Sequence, residues 1–484
     1  MRGPMFHNRI HEIEDLRRFV ASRHPELVVV YGRRGVGKSA LVREALGGHS
    51  ALIYQATSRA LPQQMEDMTA ALRAFAPDLV LPGVLPDVPA FLDAVAHLAR
   101  KQQDEPVILV IDELPYLAEA DPSLPTVMQR WWDEIRREGI RKLKVFLLGS
   151  MVSWMEKQTL SEHGPLHNRR TGQLLLDPLG YREAALFYPW YSPEERVSAY
   201  AIWGGMPSYL EEIDPDSGLW DNVVETILRP TARLAEEPAW LRHTDLRSDM
   251  VYSSILRAIA SGKRRPGDIA RAVGKGSAND VTYYLSRLME GGMIRRSVPI
   301  QDEPGGPSGQ SLYMLSDYYV AFWYRYVDRL RHLLVLRRLE EALGIIKADF
   351  NSYLSGMAFE EVARQFIRTL LPGKLPPGLR YERVGSWWTS RRDGEERDEI
   401  DVVALHNGQA VLLGECKWSN QPMDMRDLGG LRGALVRAAR DIKPVDHPWR
   451  ALFSQSGFRD DLVQLARDPG ERILLFTPEE MYAS

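Results

Sequence analysis

Apolar and polar positions in this 484-residue chain fall into two rhythms. Short continuous apolar runs, "LVVVY" (27–31), "VILVID" (107–112) and "KVFLLGS" (144–150), predict strands buried on both faces of a parallel sheet. Between them lie stretches with helical spacing, such as "SALVREAL" after the first run. The segment "YREAALFYPWYSPEERVSAYAIWGGMPSYL" (181–210) reads as helical and rich in aromatics, closing on a Gly-Gly-Met-Pro turn. Further on, "DMVYSSILRAIAS" sets Ile255 and Ile259 one turn apart, "RPGDIARAVG" gives a short second helix, and a third helix has Val281, Leu285 and Leu288 on one face. Two short strands around the polar loop "QDEPGGPSGQ" (301–310) follow as a hairpin, and the aromatic helix "DYYVAFWYRYVDRLRHLL" (317–334) reads as core or connector. The last third reads as helix "GMAFEEVARQFIRTLL", then strands "RYERVGSWWT", "EIDVVALH" and "QAVLLGECKW", with two more strands around a helix. Asn407-Gly408 between two of these runs is the preferred two-residue hairpin turn.

Chemistry sharpens the first third. Gly32, Arg33, Arg34, Gly35, Val36, Gly37, Lys38 and Ser39 match G-x-x-x-x-G-K-[ST] between a predicted strand and a predicted helix, the context this phosphate loop requires. The glycines let the backbone wrap an anion and the helix-start amides face it. Lys38 is expected on the β/γ-phosphates of ATP and Ser39 on Mg²⁺. Asp112 and Glu113 end the second apolar run, the first placed to hold Mg²⁺ and the second to polarise the attacking water. Ser150, at the end of the third run, stands where a γ-phosphate sensor would sit, and Arg169 or Arg170 could serve as an arginine finger.

The ordered set "FHNRIHEIEDL", "GRRGVGKS", "IDEL", "LLGS", "GPLHNRR" and "GGMPSYL" resembles the archaeal-type ATPase family of the AAA+/STAND group of P-loop ATPases, over nearly the whole chain. That resemblance implies the nucleotide roles given above for Lys38, Ser39, Asp112 and Glu113. It also implies a winged helix and then a nuclease-like C-terminal domain. The three helices and hairpin fit a winged helix-turn-helix on their own terms.

Composition narrows the partners. With 44% hydrophobic and 26% charged residues, the chain is expected to be soluble, with no membrane span and no signal-peptide core at its start. One cysteine excludes an intrachain disulfide or a Cys-rich zinc site and suits a cytoplasmic location. A net charge of −4 argues for no global attraction to nucleic acid. Residues 261–300, however, carry eight Lys/Arg against three acids, so Lys263, Arg264, Arg265, Lys275, Arg295 and Arg296 are candidate DNA contacts.

The C-terminal motif raises a second chemistry. Glu415 and Lys417 of "GECKW" share a strand face, and the predicted hairpin folds Asp401 back towards them. This D…E-x-K set resembles the PD-(D/E)XK nuclease superfamily. The resemblance implies Asp401 and Glu415 as ligands of Mg²⁺ or Mn²⁺, Lys417 as the catalytic cation and Glu360, or else Glu361, as a supporting acid. Ile400 departs from the superfamily's proline, and Glu399 is a rival ligand on the same face. The bland alternative is a Glu415–Lys417 ion pair at a strand end.

The expected fold is therefore multidomain α/β: a P-loop NTPase core with a parallel sheet (1–175), a helical lid (176–245), a winged helix and connector (246–350) and a restriction-endonuclease-like α/β domain (351–484). The expected function is ATP hydrolysis coupled to DNA binding and metal-dependent DNA cleavage, in a protein that could form homo-oligomers. The alternatives are an ATP-switched DNA-binding regulator with an inactive nuclease fold, or a STAND-like signalling protein that binds other proteins.

Overall fold

The computed structural model describes residues 8–81, 83–102, 105–162, 164–236, 250–303, 306, 308–370, 375–389 and 398–483. The chain divides into two compact units, 1–178 and 179–484.

In the first unit, five strands form one sheet: β1 (Glu26–Tyr31), β2 (Leu52–Gln55), β3 (Val107–Asp112), β4 (Leu143–Gly149) and β5 (Gly172–Leu175), in the order β2-β3-β4-β1-β5. Every pairing is parallel. All residues of β1, β3 and β4 are buried, which explains why they read as unbroken apolar runs rather than alternating ones. The helices Leu61–Phe75, Val88–Lys101 and Leu124–Arg137 pack Met68, Phe91 and Trp132 into the core cluster that also holds Leu109 and Leu147. Because β4 lies between β1 and β3, the loops leaving the C-terminal ends of all three strands are neighbours. An open parallel sheet binds its ligands at that edge.

The second unit begins with short helices, Tyr181–Ala184, Pro193–Trp203, Pro207–Leu210 and Leu219–Val223, the last continuing to Leu228. Gly205 sits so close to backbone that a Cβ there would lie 1.9 Å from the Leu179 carbonyl oxygen. These helices pack within the second unit: Tyr200 Oη accepts from Gln365 at 3.3 Å, and Tyr353 Oη donates to the Ala201 carbonyl at 3.0 Å. The expected boundary at 245 lies outside the described residues.

Three helices follow, Met250–Ala260, Pro266–Ala272 and Asn279–Glu290, burying Ile255, Ile259, Val281, Leu285 and Leu288 as their spacing requires. An antiparallel hairpin, β6 (Ile294–Ser297) with β7 (Leu312–Leu315), comes next. The aromatic run 317–334 forms helices whose Tyr319, Phe322, Tyr324 and Tyr326 are buried, so it is core.

A second sheet closes the chain: β8 (Arg383–Trp388), β9 (Glu399–His406), β10 (Gln409–Lys417), β11 (Trp449–Ser454) and β12 (Ile473–Phe476), in the order β12-β11-β10-β9-β8. β8, β9 and β10 pair antiparallel, whereas β10, β11 and β12 run parallel. The β9–β10 turn has φ of 50° at Asn407 and 75° at Gly408, the left-handed pair that an Asn-Gly hairpin turn requires. A final helix, Pro478–Ala483, docks on the helix Pro193–Trp203. The Met481 carbonyl accepts from Tyr181 Oη at 2.8 Å and from Arg182 Nε at 3.0 Å. The Tyr181 and Tyr482 rings meet edge to face at 5.1 Å. Among the described residues no helix is long and apolar enough to cross a membrane.

Candidate functional site

The loop after β1 takes its shape from glycine. Gly32, Gly35 and Gly37 have φ of 152°, 85° and 95°, and a Cβ on Gly32 would lie 2.4 Å from the Leu176 carbonyl oxygen. Gly37 leads into the helix Lys38–Leu46, whose first amides have no partner within the helix and form a start suited to an anion. Lys38 is buried, and its Nζ donates to the carbonyls of Gly32 at 2.8 Å and Arg33 at 3.2 Å. Burial pulls its pKa down, against the opposing pull of Glu113 and Asp112. The ammonium thus lies inside the cradle, held by loop carbonyls.

Ser39 Oγ donates to Asp112 Oδ2 at 2.5 Å, so a hydroxyl and a carboxylate meet in front of the helix start. That donor set fits Mg²⁺, a hard cation that takes oxygen ligands. Glu113 has φ of 55°, left-handed and non-glycine, and its Oε2 accepts from Ser150 Oγ at 2.6 Å and Ser150 N at 3.1 Å. β4 brings Ser150 to Glu113 because it lies between the strands carrying the loop and the acids. Six expected site residues from three separate stretches (Gly32, Lys38, Ser39, Asp112, Glu113 and Ser150) therefore meet at one sheet edge.

The second constellation is built by an irregular strand pair. Gly385 pairs with Val403 and Trp387 with Ile400, so Asp401 and Val402 lie opposite Ser386 alone. This bulge re-aims a side chain. Ile400 and Val403 both pack into the core under the sheet, and the Asp401 carboxylate accepts from Cys416 N at 2.8 Å through Oδ2. Pairing of Gly414 with Val402 carries Glu415 beside it. Burial pushes Asp401 well above the usual carboxylate range, and the charges of Glu360 and Glu415 push it further. Burial, then Glu399 and Glu360, raise Glu415 to about 7. Glu360 is raised by burial, with Arg364 opposing. Glu360, Asp401 and Glu415 thus share a site with Glu399, and neighbouring acids raise the proton affinity of each. Such a cluster is relieved by a proton or by a cation. Even so, no three His, Cys, Asp or Glu side chains among the described residues form a ready-made cage for a metal ion.

Lys417 does not pair with Glu415, as the strand-end alternative expected. Its Nζ lies 2.8 Å from Asp427 Oδ1, a residue at the start of the helix Met425–Ile442. The physical reason is the capping box of that helix: the side chain of Asp427 caps Asp424 N at 2.8 Å through Oδ2, leaving Oδ1 to face the strand end.

Residues 6–213 match an ATPase domain found predominantly in Archaea, and residues 323–428 match a group of archaeal and bacterial proteins of unknown function. An uncharacterized protein of Methanocaldococcus jannaschii is 30% identical over 457 residues, spanning 93% of this chain and 92% of its own. The chain belongs to this family of archaeal ATPases. Two solved structures are similar at low identity. The Walker-type ATPase of Pyrococcus abyssi has 18% identity and a TM-score of 0.48, over 66% of this chain and 96% of that one. The ORC2 protein of Aeropyrum pernix has 15% identity and a TM-score of 0.44, over 71% and 96%.

The remaining expected residues of the ATPase are dispersed. Arg169 is forked onto Asp133 at 3.2 and 3.0 Å, and Arg170 donates to Gln173, His167 and Thr159. Both are thus engaged with their own surroundings in this conformation. The six candidate DNA contacts within 261–300 do not form one open patch. Arg264 donates to the Gly356 carbonyl, Arg265 to the Thr389 carbonyl at 3.0 Å, and Arg295 lies 3.9 Å from Glu361. Arg296 donates to Ser311 Oγ at 2.7 Å, Lys275 lies over the Tyr284 ring at 5.9 Å, and Lys263 is exposed. Three of the six therefore face the C-terminal domain, which short-range counting of charges could not show.

Two residues escaped the sequence reading. Arg9 donates to the carbonyls of Val36 at 3.3 Å and Asp177 at 2.8 Å, tying the phosphate loop to the end of the unit; its signal was the "HNR" of the opening stretch. Arg364 is buried, donates to the Asp401 carbonyl at 2.8 Å and to Glu361 at 3.0 Å, and lies 3.6 Å from Glu360. Glu361 is consumed by this pairing. Burial alone would raise it, but Arg364, Arg295 and Arg368 hold it down at about 2. Glu360, not Glu361, is left facing Asp401 and Glu415.

Proposed function

We propose that the ATPase couples ATP hydrolysis in its first unit to DNA binding and metal-dependent DNA cleavage by its second, a winged helix followed by a PD-(D/E)XK nuclease-like domain. In the first unit, Lys38 leaves its loop carbonyls for the β/γ-phosphates, and the amides around Gly35 and Gly37 hold the remaining charge. Ser39 and Asp112 hold Mg²⁺, which supplies charge neutralisation at the phosphates when bound. Glu113, released by Ser150, orients the attacking water. The Ser150–Glu113 contact supports the serine as a γ-phosphate sensor: its single hydroxyl proton serves either the phosphate or the glutamate.

In the second unit, Asp401 and Glu415 hold a divalent metal, with Glu360 in support. The metal supplies the Lewis acid for phosphodiester hydrolysis when bound. Lys417 steadies the charge that develops on the phosphate. The observation that carries the reading is the bulge at Asp401. It turns an acid out of an otherwise apolar strand to stand beside Glu415 and Glu360, an arrangement that costs stability unless a cation or a proton occupies it.

The regulator reading, with cutting lost, has an observation of its own: Lys417 is neutralised by Asp427, and among the described residues no three His, Cys, Asp or Glu side chains form a cage. Plasmid incubated with the protein, ATP and Mg²⁺ or Mn²⁺ separates the two. The nuclease reading expects nicking or linearisation that Asp401→Ala, Glu415→Ala and Lys417→Ala each abolish while ATP turnover persists. Absence of cleavage with either metal, together with salt-dependent DNA retardation, would leave the regulator.

A further inference from the structure

The β6–β7 hairpin is joined to the C-terminal sheet at both ends of β8. Beyond β6, Ile300 N donates to the Ser386 carbonyl at 2.9 Å, and the Ile300 side chain belongs to the core under that sheet. The Ile300 carbonyl in turn accepts from Arg383 at 2.9 Å. On the return limb, the Gln310 carbonyl accepts from Trp388 Nε1 at 2.9 Å. The strand is tight against the hairpin at Gly385, where a Cβ would lie 3.2 Å from the Ile300 side chain. A hairpin anchored by its apolar core residue and by backbone bonds is a fixed wall.

Between this wall, β8 and the helix Glu360–Thr369 lies a cleft of about 1030 Å³. Six arginines line it, Arg295, Arg296, Arg368 and Arg383 among them, together with six acids, of which Glu360, Glu399 and Asp401 belong to the carboxylate end and Glu361 pairs with Arg295 and Arg368. Guanidinium groups along a channel attract successive phosphates, while the acid cluster repels them unless a cation is bound there. The volume is at the upper end of the range for clefts that take one small molecule. It offers room for a few unpaired nucleotides. A duplex could enter only by breaking the Ile300–Ser386 and Gln310–Trp388 contacts and pulling Ile300 from the core.

We propose that this cleft binds a single DNA strand, so that the substrate class of the carboxylate site is unpaired DNA rather than intact duplex. The proposal rests on reading the Glu360–Asp401–Glu415 cluster as the cutting site. Its geometric part, strand over duplex, stands on the anchored hairpin and the arginine walls.

The test uses the full chain and two probes of equal length, a labelled oligothymidylate and the duplex it forms with oligodeoxyadenylate. Binding is read by fluorescence anisotropy without divalent metal, and cleavage is read separately with Mn²⁺. The strand is expected to bind at least about tenfold more tightly than the duplex, with affinity falling as salt rises. The double variant Arg295→Gln/Arg296→Gln should lose about tenfold on the strand with a melting temperature lowered by no more than a few degrees, since Arg295 is 45% exposed and Arg296 is half-buried. Duplex binding as tight as strand binding would overturn the proposal, as would a double variant that binds the strand like the parent. Selective strand binding without any cleavage would uphold the cleft and sink only the nuclease reading.

Discussion

Glu113 and Glu361 show how different two acids of one chain can be. Glu113 is held in a left-handed conformation by the turn out of β3, with its carboxylate parked on Ser150. Strain of that kind is retained where structure over-determines it, and it clusters at working sites. Glu113→Gln should therefore bind ATP normally but turn over at least about a hundredfold more slowly, whereas Lys38→Ala should lose nucleotide binding itself. Equal steady-state turnover in Glu113→Gln and parent would remove the water-orienting role. Glu361, by contrast, is structural. Glu361→Ala leaves Arg364 buried with Glu360 as its remaining acidic partner, at a cost of about 3 kcal/mol, read as a lower urea midpoint. The pH sign follows from its depressed value. The Glu361 contribution is complete above the unfolded pKa near 4.5 and is lost as pH falls towards about 2. Urea midpoints of the parent should therefore drop across that window, and those of Glu361→Gln should drop less.

At the scale of elements, the helix Met425–Ile442 links stability to chemistry through one side chain. Asp427 both closes the capping box and holds Lys417. Asp427→Asn keeps an acceptor for the cap and weakens the hold on the ammonium, so melting should change by less than about 1 kcal/mol while any cleavage shifts in its salt and pH dependence. Asp427→Ala should lose the cap as well, and about 1 kcal/mol with it. Elements also explain what could be read from the sequence. The phosphate loop was legible because its chemistry is local: glycines, lysine and serine lie within eight consecutive positions between two unmistakable elements. The Asn407-Gly408 turn was legible for the same reason. The Asp401 bulge was not, because it depends on how β9 meets a strand earlier in the chain. Nor was the engagement of Arg264 and Arg265, whose carbonyl partners lie 92 and 124 positions away. The strands β2 and β5, four residues each, carried too little pattern to stand out.

For the molecule as a whole, two units with separate cores make a simple forecast. Deleting residues 478–484 removes the buried Met481 and the Tyr482 ring from the second unit, whereas the phosphate loop belongs to the first. Calorimetry should show one transition move down by several degrees and another hold, with ATP affinity unchanged. A single transition that shifts as a whole would mean that the units unfold together.

The docking of Pro478–Ala483 on Pro193–Trp203 also bears on synthesis. The Tyr181–Met481 hydrogen bond spans 300 positions, so a helix that opens the second unit meets its partner only after some three hundred further residues have been made. The first unit can close on the ribosome as soon as it emerges. The second must hold Tyr181, Tyr188 and Tyr200 without their final cover while some three hundred further residues are translated, on the order of fifteen seconds to a minute at usual elongation rates. During that interval the nascent chain exposes an aromatic surface, which makes this protein a natural client for chaperones. Termination within the C-terminal sheet, which also removes strands from the core, should yield aggregation rather than a shortened enzyme.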